Sequence, residues 1–301
     1  MSLIMGSDLA GMAAANFATI APSLVAIEGG TFTMGSSRFE DAPEHPVTVS
    51  NFRMGRNPIT NETYGKFAAS LGANRFALIG ADGQTGVEKL LALGSSSAEI
   101  RSSLDRLIPD AGEIAKGGAA RLIGALNLVH IADHTPPANF DGSGQPAINV
   151  NWYDAFVFSA LHAVRLPEEA EWEYAARVVR GERKPREYAT PSGKLVKTEA
   201  HFNAGSTIDV NDSKYPTLPN GLRHMTGNVW EWTRSWYGDY PRGAVTDPIG
   251  LVSGDFKVLR GGSWGSNNPG YLRASCRDLL QPVSRSNYRG FRLAAPQDSI
   301  S

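Results

Sequence analysis

Arg260-Gly261-Gly262-Ser263-Trp264 opens, and Gly290-Phe291-Arg292-Leu293 closes, the stretch whose reading decides the fold. From Arg260 to Arg292 the chain carries six arginines and much Gly, Ser, Asn, Leu and Tyr, but no Lys, Glu, Met, His, Thr or Ile. Two kinds of position alternate. Trp264, Pro269, Leu272, Arg273, Arg277, Pro282, Arg285, Gly290, Phe291 and Arg292 read as a framework. Aromatic anchors and guanidinium groups can hold irregular loops through backbone carbonyls and carboxylates. Between them lie Gly265 to Asn268, Gly270-Tyr271, Ser275-Cys276, Asp278 to Leu280, Val283-Ser284 and Ser286 to Tyr288.

Upstream, Met225-Thr226-Gly227-Asn228-Val229-Trp230-Glu231-Trp232 follows a region where turn residues punctuate short apolar pieces, which predicts strands and long loops from Glu187 onward. Asn151 can cap a helix running from Trp152 to about Ala163. Arg165-Leu166-Pro167 opens a second helix ending near Arg177 and Arg180, with acids in its first turn matching the helix dipole. Nearer the N-terminus, Val25, Ile27, Phe32 and Met34 flank Gly29-Gly30, predicting two short strands around a turn. Val47 to Val49 with Phe52 to Met54 reads as another strand. A helix follows, capped by Thr60 or Asn61, carrying Tyr64, Phe67, Ala68 and Leu71 on one face and ending at Gly72.

The chain has 301 residues, with Lys+Arg 29 against Asp+Glu 30 and a formal net charge of −1. That balance offers no electrostatic reason for a nucleic-acid or anionic-membrane partner. No apolar run is long enough for a membrane helix. Gly 32 and Pro 18 favour loops and short strands over a helical bundle, and the single Cys276 excludes a thiolate cluster or an internal disulfide. Residues 1–22 are apolar and small, with Arg38 the first basic residue, so they read as a tail without a standard signal peptide. The expected location is cytoplasmic, or surface display by another route. Residues 73–135, rich in Ala, Gly, Leu and Ser, read as an inserted helical region.

Gly29-Gly30-Thr31-Phe32-Thr33-Met34-Gly35, Arg165-Leu166-Pro167 through Arg177, the Met225 to Trp232 stretch and the two motifs bounding residues 260–292 together resemble the formylglycine-generating enzyme (sulfatase-modifying factor) family. The resemblance implies an α+β, C-type-lectin-like domain over residues 23–297, with a twisted antiparallel sheet, two helices and long loops. The family's oxidases hold copper with two cysteines placed after the Gly-Gly-Ser-aromatic motif. Here Ser266 falls at the first of these positions, no cysteine fills the second, and Cys276 matches neither. The resemblance therefore implies no oxidase and no catalytic residue in this chain. Iron-binding relatives direct attention to His130 and His134, spaced i and i+4, but Pro136 and Pro137 argue against a helix there. The family's calcium loop would correspond to Gly227, Val229 and Glu231, with His224 where an Asn or Asp is expected.

Every one of these intervening residues can be encoded by a codon with any first two bases and a pyrimidine third; Gln281 falls outside that set and would have to be a framework residue. That pattern resembles the variable region of a diversity-generating retroelement target protein. It implies a binding face formed by Ser266, Asn267, Asn268, Tyr271, Asp278, Leu279, Leu280, Val283, Ser286, Asn287 and Tyr288, directed at a protein or cell-surface ligand. The alternative is an undiversified member of the same family, including a metal-dependent enzyme of unknown substrate.

Overall fold

The four strands of the first half sort into two sheets that do not share a pairing. This is a computed structural model, describing residues 15–72, 135–182, 184–251 and 254–297. Strand β1 (Leu24–Ile27) pairs antiparallel with β4 (Phe52–Gly55), and β10 (Ala294–Pro296) adds to the other side of β4. Strand β2 (Gly30–Met34) pairs antiparallel with β3 (His45–Val49), and the short β6 (Val245–Thr246) lies parallel to β3. The single strand expected over Val47 to Met54 is thus two. Asp247 accepts from the Ser50 N–H and hydroxyl at 2.6 Å each, and Asn51 accepts from the Gly29 N–H at 2.8 Å, turning the chain out of β3. A Cβ at Gly29 would sit 2.2 Å from the Val49 carbonyl oxygen, so glycine is required at that crossing.

The third sheet has four strands among the described residues. Strand β5 (Trp230–Trp236) pairs antiparallel with β7 (Lys257–Arg260) and parallel with β9 (Arg289–Phe291), and β8 (Asp278–Leu280) forms the far edge. Both ends of the 260–292 stretch are therefore built into one sheet, and the segments between them are the connections of that sheet.

Helix α1 (Asn61–Gly72) is capped by Thr60, whose Oγ1 accepts from the Thr63 N–H at 3.2 Å. Helix α2 (Trp152–Leu161) starts with a reciprocal pair: Asn151 Oδ1 accepts from the Asp154 N–H and Asp154 Oδ2 from the Asn151 N–H, both at 2.9 Å. Helix α3 (Glu169–Arg177) begins two residues after Pro167, because Glu168 and Glu171 form a capping box there. Residues 15–20 are also helical, and Ile20 is buried with Leu24, so packing starts ahead of residue 23. The inserted region, with His130 and His134, lies outside the described residues.

Two cores result. Tyr64, Phe158, Leu259, Trp232 and Phe291 pack between the third sheet and helices α1 and α2, with the Tyr64 and Phe158 rings stacked 5.6 Å apart. Trp172 of α3 packs with Phe32, Val47, Met54, Leu222 and Met225 over the first two sheets. Burying each such side chain contributes about 2–3 kcal/mol, enough to hold loops that contribute little themselves.

Candidate ligand-binding face

Arg260, Arg277 and Arg292 are buried and bonded, and Arg273 and Arg285 are half-buried. Arg292 Nε and Nη2 donate to the two Glu231 oxygens at 2.6 and 2.7 Å. Its remaining N–H groups reach the carbonyls of Gly55 (2.9 Å), Arg56 (3.2 Å) and Arg223 (2.9 Å). Arg260 reaches Glu173 at 2.7 Å, Glu169 at 2.8 Å, and the carbonyls of Ala274 and Cys276 at 2.9 and 3.0 Å. Arg277 donates to both Glu169 oxygens at 2.7 and 3.1 Å, and its guanidinium lies 4.3 Å from each of the Tyr237 and Tyr240 ring centres. Burial pushes the Glu169 carboxyl upward, but Arg260 and Arg277 outweigh it and hold the group below its ordinary range. Arg285 binds Asp154 and the Asn149 carbonyl, fixing the loop over the start of α2.

These carboxylates were the part of the site that sequence reasoning missed. The acids of α3 read as partners of the helix dipole. Yet Glu169 and Glu173 stand at i and i+4, which puts both on one helix face, and that face meets Arg260 and Arg277.

The intervening residues divide between exposed and half-buried, with a few buried. Tyr271 is 54% exposed, Val283 and Tyr288 41% each, and Asn267 and Asn268 are also exposed. Asp278, Leu279, Leu280, Ser286 and Asn287 are half-buried. Ser266 does not belong to the face: it is 8% exposed, and its hydroxyl accepts from the Ser263 N–H at 3.0 Å, bracing the turn after Gly262. Leu280 leans on the Tyr64–Trp232 core.

The structure gathers part of the set around Trp264. The Trp264 indole N–H donates to the Asn287 carbonyl at 3.0 Å, and its ring stacks on Tyr288 at 4.6 Å. A Cβ on Gly265 would lie 2.4 Å from the Tyr288 ring, so these positions touch. Asn268 caps the short 3-10 turn Pro269–Leu272 that presents Tyr271. Leu279 lies on the opposite edge strand, and Val283 follows Pro282 at the start of α2, where the Trp152 N–H donates to the Pro282 carbonyl at 3.0 Å.

The calcium loop implied by resemblance meets a different chemistry. Glu231 is fully buried, with both oxygens taken by Arg292 and the Trp172 indole N–H at 2.8 Å on Oε2. A divalent cation there would stand against the Arg292 guanidinium, so Glu231 does not fit as a ligand. His224 donates from Nε2 to the Val210 carbonyl at 3.1 Å; burial and the nearby Arg223 and Arg292 charges lower its pKa to about 3. Gly227 and Val229 remain as turn residues ahead of β5, Val229 packing beside Trp264. Among the described residues no three His, Cys, Asp or Glu side chains group as a metal site. Cys276 is buried, and burial pushes its thiol up to about 11, away from the thiolate a soft metal needs.

The Sulfatase-modifying factor enzyme 1-like domain matches residues 10–296. The serine/threonine-protein kinase Pkn1 of Chlamydia trachomatis serovar L2 is 30% identical over 278 residues, 90% of this chain but 38% of that protein. The chain thus spans well under half of that relative's length. The formylglycine-generating enzyme of Streptomyces coelicolor is 30% identical over 311 residues, 92% of this chain and 90% of that enzyme. Among solved structures, Treponema denticola variable protein 1 has a TM-score of 0.58 at 21% identity, over 91% of this chain and 94% of that one. That likeness carries the fold, which is α+β and C-type-lectin-like. With the domain matched over residues 10–296, the chain belongs to the sulfatase-modifying factor enzyme 1-like family.

Proposed function

We propose that this chain is a non-catalytic ligand-binding protein, the diversified variable protein of a diversity-generating retroelement, whose face binds a protein or cell-surface ligand. One observation carries the reading. Within residues 260–292 the arginines 260, 277 and 292 are buried and bonded, while the residues between them include Asn267, Asn268, Tyr271, Val283 and Tyr288, all exposed. Exposed Tyr, Val and Asn on a rigid support are what adaptable binding surfaces use.

The likeness to a formylglycine-generating enzyme over 92% of the chain favours a second reading, an undiversified member with its own chemistry. The residues speak against the copper oxidase: Cys276 is the chain's one cysteine, and it is buried with its thiol pushed up to about 11. The deciding experiment is deep sequencing of the locus across many isolates of one lineage. Diversification puts substitutions at the codons of 267, 268, 271, 278–280, 283 and 286–288 and spares Trp264, Arg277 and Arg292. Substitutions scattered evenly, or none at all, favour the undiversified reading.

A further inference from the structure

Strand β2 (Gly30–Met34) is one edge of the second sheet, in which β3 lies between β2 and β6. Its ladder pairs Gly30 with Val49, Thr31 with Thr48, Phe32 with Val47, Thr33 with Pro46 and Met34 with His45. Proline has no N–H, so Thr33 and Pro46 cannot exchange bonds, and the hydrogen-bonded pairs are those at Gly30, Phe32 and Met34. The far side of β3 agrees. The carbonyl of Thr48, opposite Thr31, turns away from β2 and accepts from the Asp247 N–H at 2.8 Å. Thr31 and Thr33 therefore direct N–H and C=O outward, and among the described residues no further element bonds these four groups.

Hydrated amides on an edge are not by themselves a site; the surroundings of this edge make it one. Other edges are closed: the Ile59 N–H donates to the Phe291 carbonyl of β9 at 2.8 Å, and Arg165 exchanges bonds with Ala294 of β10 at 2.9 and 2.7 Å. At β2 both connections run on the β3 side, Gly29 crossing against the Val49 carbonyl and Gly35, at φ 87°, folding back against Ala42. The strand has no Pro, no charged residue and no register shift, the usual guards against strand addition. It is also complementary to itself. Turned by a half-turn about Phe32, a second β2 sets Thr31 against the partner's Thr33 and Thr33 against the partner's Thr31, with two bonds exchanged at each. The exposed threonine side chains then pair on the solvent face, which suits β-branched residues. Charge agrees with this pairing. Exposed Glu28 precedes the strand, bonded to Arg180 through Oε2 alone, and exposed Arg38 follows it, 3.6 Å from a Glu187 that Arg273 holds closer at 2.5 Å. Antiparallel addition brings the Glu28 end of each copy beside the Arg38 end of the other. We propose that β2 is the contact of a two-fold pair of this chain, adding antiparallel to β2 of a second copy to make one six-stranded sheet. The contact is small beside the roughly 1,200 Å² of a tight complex, so the pair is weak and forms at high protein concentration. It is independent of the binding-face reading.

The test uses the full chain in sedimentation velocity over a concentration series, where the wild type should shift from monomer to dimer. Thr33→Pro should abolish the shift, because it deletes an outward N–H that β3 does not use, and circular dichroism should show the fold unchanged. Thr33→Lys keeps the main chain, charges the edge and should abolish the shift as well. Register is read by disulfide trapping. Thr31→Cys mixed with Thr33→Cys should give a crosslinked dimer on oxidation, since hydrogen-bonded antiparallel partners stand about 5.5 Å apart at Cα. Either variant alone should stay uncrosslinked, since residue 31 and its own copy are offset by two residues, beyond the ~7 Å a disulfide spans. Cys276 is buried and does not compete. A monomer at every concentration, a dimer that survives both Thr33→Pro and Thr33→Lys, or a variant that crosslinks with itself as readily as with the other overturns the proposal.

Discussion

Glu231 and Arg292 grip one another through both carboxylate oxygens, at 2.6 and 2.7 Å, in a place where neither side chain touches solvent. Three backbone carbonyls complete the guanidinium, and an indole N–H completes the carboxylate. This pair ties β5 and the end of β9 to the β4 connection, and removing one partner leaves a buried charge unanswered.

Glu231→Gln should therefore cost about 3–5 kcal/mol of stability, a fall in Tm on the order of 10 °C. Thermal unfolding followed by circular dichroism checks it. A loss under ~1 kcal/mol would show that Arg292 finds another counter-charge.

Tyr271→Ala with Tyr288→Ala should leave the fold intact. Tyr271 is mostly exposed, and losing the Tyr288 stack on Trp264 costs about 0.5–1.5 kcal/mol. A peptide selected on the wild-type protein should bind the double variant at least ~10-fold more weakly, read by calorimetry.

Gly265→Ala should destabilise by about 1–3 kcal/mol, because its methyl group meets the Tyr288 ring at 2.4 Å. Tyr288→Ala in the same chain should restore most of the loss. A double-mutant cycle measured in urea reads the coupling; additive losses would mean the Tyr288 ring swings aside freely.

His224 sets an acid limit. Its pKa is lowered to about 3, so in the range from 6.5 down to about 3 the unfolded chain takes up the proton that the folded one refuses. Stability is then full above pH 6.5 and falls by up to ~1.4 kcal/mol per pH unit below it. His162 and His201 are also shifted down, in the same sense. His224→Asn keeps a residue tolerant of the observed φ of 54° and removes the titration, so its urea midpoint should depend less steeply on pH between 6 and 4.

Cys276 should resist alkylation in the folded protein, with iodoacetamide labelling appearing only in denaturant, since its thiol is buried and shifted up to about 11. Cys276→Ala should cost roughly 1–2 kcal/mol. Rapid labelling of the native state would place a thiolate where the structure has a thiol.

Local signals in the sequence were read well and distant ones poorly. The caps of α1 and α2 depend on Thr60 and Asn151 and their immediate neighbours, so propensity and spacing locate them. Pairing is another matter. Gly29-Gly30 suggested that β1 and β2 face each other, but β1 binds β4 and β2 binds β3, an outcome decided by packing under Trp172 and by Asp247 capping Ser50. The face was legible as an alternation of types, because arginine and tryptophan in a Gly-Ser-Asn background stand out. Ser266 was misplaced because a serine hydroxyl serves a turn or a surface equally well, and only its bond to the Ser263 N–H tells them apart. Glu231 bonds Arg292 of the final motif, a partner that spacing within its own stretch does not reveal.

The indole of Trp264 holds the carbonyl of Asn287, and Arg260 holds those of Ala274 and Cys276. A main-chain oxygen is the same atom in all twenty amino acids. The Trp264 clamp therefore never inspects which side chain stands at 287, whereas Ala274 and Cys276 are also held by their buried side chains. A change of side chain at Asn287 leaves the Trp264 bond in place. If the face binds as proposed, folding and recognition at Asn287 are written at separate atoms of one residue.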